Sequence, residues 1–135
     1  MVEKRFIQRT TGGIIIFWVF DIDGTICNTE YEKKEGKWKY KNATPRQDVI
    51  DKINQLYDMG EHITIFTARG SVFKLDWETI TKQQLSSWGV KYHELRFGKP
   101  GGDIYVDDRT ITPDDFVNRW SFYQGIAASW KRQNE

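Results

Sequence analysis

The chain has 135 residues, a formal net charge of +1 and a single cysteine. This length suits one domain with one hydrophobic core and is too short for two domains of ordinary size. The near-neutral charge offers no basic footprint for DNA or RNA, and a lone cysteine excludes an internal disulfide. No secretory signal is visible and no apolar run could span a bilayer, so we expect a cytoplasmic protein without a membrane partner.

The first predicted element is a buried strand over Ile14 to Phe20, a continuous apolar run. Such runs are typical of parallel strands that are covered on both faces. The strand leads into an Asp-x-Asp-Gly-Thr sequence whose acids are Asp21 and Asp23. Like charges this close repel unless a cation or shared protons compensate them, and Mg²⁺ prefers carboxylate oxygen. By itself the sequence is equally compatible with an ordinary turn beside a helix cap.

The rest of the chain alternates helix and strand signals. Thr44-Pro45-Arg46-Gln47 has the pattern of a capping box, and helix-spaced apolar residues follow it as far as Gly60. Strands that alternate with helices predict a mostly parallel sheet with helices on its faces. In order, the elements predicted after the first strand are a hairpin-like charged flap (28–42), a helix (44–60), a strand (62–67), a helix (76–88), strands at 92–97 and 103–106, and a short helix from Thr112.

Polar residues follow the predicted strands at their carboxyl ends. In a parallel α/β sheet these ends lie along one side, where ligands bind, so we expect a single site. Four carboxylates, a hydroxyl and an amine suit a metal-assisted reaction on a phosphoryl group. Arg69 is a further candidate, either as a substrate contact or as the partner of a nearby acid. The candidates are Asp21 and Asp23 after the first strand, Thr67 after the second, Lys99 after the third, and Asp107 and Asp108 after the fourth.

These residues resemble the four motifs of the haloacid dehalogenase-like (HAD) phosphohydrolases, and the resemblance spans about residues 14–117. The motifs are the Asp-x-Asp-Gly-Thr strand end, a threonine or serine after the next strand, a lysine and a terminal acidic pair. The resemblance implies an α/β fold with a Rossmann-like, mostly parallel sheet and helices on both faces. It also implies one HAD-like domain over residues 1–135, with its core at about 14–120, an extension at 1–13 and a tail at 121–135.

The resemblance implies an Mg²⁺-dependent phosphatase. Asp21 would attack phosphorus to form an aspartyl-phosphate, and Asp23 would protonate the leaving alcohol and then deprotonate water. Mg²⁺ would be held by Asp21, the backbone carbonyl of Asp23, and the acids Asp107 and Asp108, with Asp107 in the more direct contact. The expected set for substrate and phosphate binding is Thr67, Lys99 and Arg69.

The segment 28–42 is long enough for a flap and too short for a cap domain. Residues 67–99 leave room for little beyond one helix, so the chain resembles capless members of the family. Its motifs are most similar to those of the small phosphatases of capsule and surface polysaccharide biosynthesis, which implies a phosphorylated sugar as substrate. An open site would be completed by the flap, by a large substrate or by a second subunit in a homo-oligomer.

Two alternatives stay open at this point. The chain also resembles the 3′-phosphatase domain of polynucleotide end-healing enzymes, which share the Asp-Asp-Arg-Thr ending that begins here at Asp107. The near-neutral charge disfavours a nucleic-acid partner, and a salt-sensitive affinity for DNA or RNA ends would support one. The second alternative is a catalytically idle binding module on the same fold. Cys27 is predicted to be a small packed residue, and His62 and His93, which stand at strand starts away from the site, are predicted to be structural or exposed.

Overall fold

The computed structural model describes residues 8–10, 13–70 and 77–133. Its centre is a three-stranded parallel sheet flanked by helices, with the strands Phe17–Phe20, His62–Thr67 and Glu94–Phe97 side by side in that order. The elements are β1 (Gln8–Thr10), β2 (Gly13–Ile15), β3 (Phe17–Phe20), β4 (Cys27–Asn28), β5 (Tyr31–Glu32), β6 (Lys37–Trp38), a 3₁₀ turn (Tyr40–Asn42), β7 (Thr44–Pro45), α1 (Gln47–Asp58), β8 (His62–Thr67), α2 (Trp77–Ser87), β9 (Glu94–Phe97), α3 (Pro113–Asn118) and α4 (Trp120–Gln133).

The parallel sheet confirms the predicted α/β class. Phe17 pairs with His62, and Thr64 pairs with Glu94, in parallel register. Parallel neighbours need a crossover connection, which α1 supplies between β3 and β8 and α2 supplies between β8 and β9. The strand predicted at 62–67 is confirmed, the helix predicted at 76–88 is confirmed over Trp77–Ser87, and the strand predicted from residue 92 begins at Glu94.

The first apolar run does not form one strand, as predicted, but two. β2 ends at Ile15 and pairs antiparallel with β1, whereas β3 begins at Phe17 and joins the parallel sheet. Between them the Ile16 N–H donates to Oε2 of buried Glu61 at 2.9 Å, which turns the chain from one sheet to the other. The prediction that both faces are covered is also wrong, because Val19 in β3 is 63% exposed.

Helix α1 is confirmed, but its predicted capping box is not. Thr44 pairs with Asn28 in a short antiparallel bridge, so the helix begins two residues later at Gln47, and Arg46 at the N-cap makes no side-chain cap bond. The Arg46 N–H donates to the Ile26 carbonyl at 2.7 Å and anchors this start. Gly60, with φ of 91°, follows the helix as predicted. The buried face of α1 consists of Val49, Ile50, Ile53 and Leu56.

A hydrophobic core lies between the sheet and the helices of the described structure. Its residues are Phe20, Ile22, Ile26, Cys27, Val49, Ile50, Ile53, Leu56, Ile63, Ile65, Leu85, Val90 and Phe116.

The predicted tail, to which the sequence assigned no structure, contains helix α4. Trp120 at the start of this helix packs edge-to-face on Phe116 of α3, with ring centroids 5.4 Å apart. In the part of the chain that the structure describes, no helix is both long and apolar enough to cross a membrane.

The predicted fourth strand at 103–106 is wrong. These residues form no regular secondary structure, and Ile104 and Val106 are 83% and 96% exposed. An extended strand would need a hydrogen-bonded neighbour, which this segment does not have among the described residues. The Tyr105 hydroxyl donates instead to the Pro100 carbonyl, within the same stretch of chain.

The flap, residues 28–42, contains the predicted hairpin. β5 and β6 pair antiparallel, and Gly36 between them has φ of 63°. The exposed rings of Tyr31 and Trp38 contact each other across the hairpin, with centroids 5.1 Å apart. The absence of a cap domain stays a prediction.

The two histidines lie at the amino ends of their strands, away from the predicted site. The rings of His62 and His93 stack on each other at 4.7 Å, between Phe17 on one side and Tyr57 on the other. Nδ1 of His93 accepts the Ile63 N–H at 3.0 Å, which requires a neutral ring nitrogen there. This packing and hydrogen bonding agree with the structural role predicted for both residues.

Candidate active site

The two acids of the first motif lie on a tight turn at the carboxyl end of β3. The Ile22 carbonyl accepts the N–H groups of Thr25 and Ile26 at 3.0 and 2.9 Å, so the chain reverses directly behind Asp21. Gly24 has φ of 82°, a conformation that side-chain-bearing residues rarely adopt. The Asp-x-Asp-Gly-Thr sequence therefore forms a defined loop that presents both carboxylates at one end of the sheet.

Asp21 is paired with Lys99. Oδ1 of Asp21 lies 3.5 Å from Nζ of Lys99. The backbone N–H of Lys99 donates to the Thr67 carbonyl at 3.1 Å, so the continuation of β9 remains beside the end of β8. Burial raises the pKa of Asp21 above its ordinary value of 3.8, and the positive charge of Lys99 opposes that rise. The charge of Lys99 therefore favours the ionised form of the Asp21 carboxyl group, whereas burial favours the protonated form.

Asp23 is held by a buried arginine. Nε and Nη2 of Arg69 donate to Oδ2 and Oδ1 of Asp23, each at 2.8 Å, and the Thr29 hydroxyl donates to Oδ1 at 2.6 Å. Arg69 is only 1% exposed. The substrate contact predicted for Arg69 is therefore corrected to an internal one, because a buried guanidinium already bonded to Asp23 is not available to a ligand. Pairing with a nearby acid was the other interpretation of this residue.

The second side of the Arg69 guanidinium is bonded to α2. Nη1 donates to the Thr81 hydroxyl at 3.3 Å and to Oε1 of Gln84 at 2.6 Å. Nε2 of Gln84 in turn donates to the Tyr40 carbonyl at 2.7 Å, at the end of the flap. Sequence reasoning missed Thr81 and Gln84. The available signal was weak, namely two polar residues three positions apart on an otherwise amphipathic helix.

Thr67 ends β8 at the predicted place, and its side chain is fully buried. Its hydroxyl accepts the Arg69 N–H at 3.1 Å, which fixes the turn that carries the arginine back toward Asp23. This bond leaves the hydroxyl hydrogen uncommitted. The role of Thr67 in binding a phosphoryl group stays a prediction.

Asp107 and Asp108 are not brought to the other acids. Both are exposed, Oδ1 of Asp107 accepts the Arg109 N–H at 2.9 Å, and Oδ1 of Asp108 lies 4.0 Å from Nε of Arg109. Across the described ranges no three acidic, histidine or cysteine side chains lie close enough together to hold a metal ion. As arranged here, Asp107 and Asp108 do not complete the predicted Mg²⁺ site, because residues 103–106 form no strand that would carry them to the end of the sheet, and the site stays a prediction.

Cys27 has a buried thiol next to the turn that carries Asp21 and Asp23, in agreement with the packing role predicted for it. Its Sγ lies 3.6 Å from the Ile22 carbonyl oxygen and 3.5 Å from the Thr29 hydroxyl. Burial raises the pKa of the thiol to about 11, so almost no thiolate is present at neutral pH. Its place in the core indicates a packing role.

We expect Ellman's reagent at pH 8 to leave native Cys27 unmodified and to label it fully once the chain is unfolded in denaturant, because the thiol is fully buried and protonated. The reaction is followed by the absorbance of the coloured thiolate that the reagent releases. The matched control is Ser86→Cys in a Cys27→Ala background, which places a thiol at an exposed position of α2. Native labelling of Cys27 as fast as that of the control would contradict the buried placement.

A parallel α/β sheet with two carboxylates and a lysine at its carboxyl end is the arrangement that the resemblance to the HAD-like phosphohydrolases implies. Residues 16–96 match a family model described as polynucleotide kinase 3 phosphatase. The chain therefore belongs to this HAD-like phosphatase family. No curated protein matches the chain significantly.

Three solved structures are similar to this chain. A structural-genomics target from Vibrio cholerae is 31% identical, with a TM-score of 0.62, over 76% of this chain and 88% of that chain. A hypothetical protein from Xanthomonas campestris is 20% identical over 63% of this chain and 40% of its own, with a TM-score of 0.41. A candidate 3-deoxy-D-manno-octulosonate 8-phosphate phosphatase from Vibrio cholerae is 18% identical over 84% and 50%, with a TM-score of 0.40. The last two are too distant to support an argument about function.

Proposed function

We propose that this chain is an Mg²⁺-dependent phosphatase that hydrolyses a phosphomonoester through an aspartyl-phosphate on Asp21. The observation that carries the proposal is the arrangement at the carboxyl end of the sheet. There the Asp21 carboxylate lies 3.5 Å from Nζ of Lys99. Asp23, two residues further along the chain, is oriented by two hydrogen bonds from Arg69. Membership of a phosphatase family supports the same reaction class.

The reaction has two displacement steps. In the first, a carboxylate oxygen of Asp21 bonds to phosphorus, the bond between phosphorus and the ester oxygen breaks, and the Asp23 carboxyl gives its proton to the departing alcohol. In the second, a water attacks the phosphorus of the aspartyl-phosphate, Asp23 takes a proton from that water, the bond between phosphorus and the Asp21 oxygen breaks, and inorganic phosphate leaves with the Asp21 carboxylate restored. The ammonium group of Lys99 would offset the negative charge that gathers on the transferring phosphoryl oxygens.

The Mg²⁺ dependence is supported by the family resemblance rather than by the placement of the side chains. The predicted ligands are the Asp21 carboxylate, the Asp23 backbone carbonyl, and Asp107 with Asp108. A divalent cation bound by such oxygen ligands supplies charge neutralisation for a phosphoryl group. No step above depends on it.

A phosphorylated sugar is the first candidate substrate. The support is the similarity of the motifs to those of the small polysaccharide-biosynthesis phosphatases, together with a net charge of +1, which gives little attraction for a polyanion. A small substrate also suits a site bounded by a short flap. The pocket would include the flap residues Trp38 and Tyr40.

A 3′-phosphorylated polynucleotide is the second candidate, because the matching family model bears that description. The flap adds a specific observation. It carries five lysines against three glutamates, and its exposed Tyr31 and Trp38 rings contact each other. Exposed aromatic rings among basic residues are the usual means of holding single-stranded nucleic acid without sequence preference.

The proposal is tested by phosphate release from a panel of sugar phosphates, nucleotides and 3′-phosphorylated oligonucleotides, measured in EDTA and in Mg²⁺. We expect turnover in Mg²⁺ and little in EDTA. A preference for sugar phosphates that is insensitive to salt would select the first candidate. A preference for oligonucleotides whose affinity falls steeply with salt would select the second.

Lack of turnover across the whole panel, with a folded protein, would overturn the phosphatase proposal and favour the idle binding module. Turnover that is equal in EDTA and Mg²⁺ would overturn only the metal requirement. That second result would agree with the separation of Asp107 and Asp108 from the other acids.

A further inference from the structure

We infer that Arg69 and Gln84 are positioning residues that hold the acid–base group Asp23 and connect it to the end of the flap. The inference rests on the proposed phosphatase function and concerns how the second acid of the site is kept in place. Neither residue would touch the substrate. Both would act through the orientation of the Asp23 carboxyl.

The hydrogen bonds at Asp23 distinguish its two oxygens. Oδ1 accepts from Nη2 of Arg69 at 2.8 Å and from the Thr29 hydroxyl at 2.6 Å, and Sγ of Cys27 lies 3.7 Å away. Among the described residues, Oδ2 accepts only from Nε of Arg69, at 2.8 Å. Because each carboxyl oxygen has two acceptor positions, Oδ2 keeps one for a proton. The bonding therefore assigns proton transfer to Oδ2 and anchorage to Oδ1.

Arg69 can orient this carboxyl because the arginine itself is fixed. Its guanidinium is planar, and the bidentate bond to Asp23 sets both the distance and the plane of the carboxyl group. The side chain is buried, and Asp23 is the acid with which it pairs in the described structure. A lysine would neutralise the charge but would not reproduce the two parallel bonds.

Gln84 fixes the other edge of the guanidinium. Oε1 of Gln84 accepts from Nη1 of Arg69 at 2.6 Å, and its Nε2 donates to the Tyr40 carbonyl at 2.7 Å. The Tyr40 ring also lies against the guanidinium, 5.0 Å from its central carbon, and packs edge-to-face on Trp77 of α2. The chain of contacts runs from the flap end through α2 and Arg69 to Asp23.

If this arrangement is lost, the decrease in rate should depend on the leaving group of the ester. An alkyl ester needs a proton on its departing oxygen, whereas p-nitrophenyl phosphate has a leaving group that departs without one. Loss of a positioned general acid should therefore slow the alkyl ester far more than the nitrophenyl ester. A residue with a merely structural role, or one that binds the phosphoryl group, would affect both esters alike.

The experiment measures kcat and KM for p-nitrophenyl phosphate and for the preferred alkyl phosphomonoester. The variants are Arg69→Met, Arg69→Lys and Gln84→Met. Gln84→Met keeps the pair between Arg69 and Asp23 intact, so it serves if the Arg69 variants fail to fold. The matched control is Arg46→Met, which removes an arginine that pairs at 2.9 Å with Asp48 and Asp114 at the surface.

We expect Arg69→Met to lower kcat/KM for the alkyl ester about 10- to 100-fold more than kcat/KM for p-nitrophenyl phosphate, because kcat/KM reports the first displacement, whereas in the second step Asp23 acts on the same aspartyl-phosphate for both esters. Gln84→Met should act in the same direction by a smaller factor, Arg69→Lys should restore only part of the loss, and Arg46→Met should leave the ratio unchanged. In an Asp23→Asn background, Arg69→Met should not change the ratio further, because the residue through which it acts is gone.

The outcomes separate this inference from the proposed function. Equal losses of kcat/KM on both esters would overturn the positioning role while leaving the phosphatase intact. The same holds if Arg69→Met still changes the ratio in the Asp23→Asn background. A wild-type chain that releases no phosphate from either ester would overturn the proposed function and this inference together.

Discussion

Asp21→Asn is expected to abolish phosphate release, with kcat lowered by roughly 10⁴-fold or more, on the scale seen when an enzyme loses its nucleophile. The amide has nearly the shape of the carboxylate but lacks the charged oxygen that would bond to phosphorus. The substitution removes a partly desolvated charge, so the protein should remain folded. Phosphate release and the thermal midpoint are measured on the same preparation.

The control for this variant is Asp58→Asn. Asp58 is a surface carboxylate that pairs with Lys91 at 2.8 Å, far in sequence from the motif. We expect it to retain wild-type turnover. Substantial activity in Asp21→Asn would show that another group attacks phosphorus, and the aspartyl-phosphate would have to be abandoned.

Lys99→Met is expected to lower kcat/KM by about 10²- to 10³-fold, the usual loss when a charged donor to a reacting oxygen is removed. The pH dependence should change as well. Burial raises the pKa of Asp21, and the charge of Lys99 lowers it, so removing Lys99 should raise that pKa further. Because the nucleophile acts as the carboxylate, activity falls as pH drops through this pKa.

The acidic limb of the pH–rate profile should therefore move to higher pH in Lys99→Met. Lys91→Met is the matched control, since Lys91 also pairs with an aspartate but does so at the surface, and its profile should coincide with that of the wild type. An acidic limb that stays in place, or moves to lower pH, would contradict the electrostatic pairing of Lys99 with Asp21. Profiles are recorded at constant ionic strength, which keeps screening constant.

The elements that were predicted well are those whose signal is contained in a short stretch of sequence. The β-branched run at His62 to Thr67 forms β8 with the predicted bounds, and the apolar spacing of α1 predicts its buried face. The start of α1 was misplaced because Thr44 pairs with Asn28 of another segment instead of capping the helix. A strand partner distant in sequence leaves no trace in a four-residue pattern.

The segment 103–106 shows the same limit more strongly. Its apolar residues have strand propensity, yet β structure requires a neighbour to accept and donate backbone hydrogen bonds. Here a hydrogen bond from Tyr105 to Pro100 closes the segment locally. The split of the first apolar run has an equivalent cause, because Glu61, 45 positions away in the sequence, binds the Ile16 N–H.

By itself the sequence determined the candidate reactive groups and their order: Asp21 and Asp23 on a glycine turn, Thr67 at a strand end and Lys99 after the next strand, together with the parallel α/β class. These follow from local propensity and from the common direction of parallel strands. Only the tertiary structure decided that Arg69 turns inward to Asp23 rather than outward to a substrate, that Gln84 fixes it from α2, and that Asp107 stands apart. Ion pairs and strand pairings between distant segments depend on how elements pack, and a side chain's partner cannot be deduced from its own neighbours in the sequence.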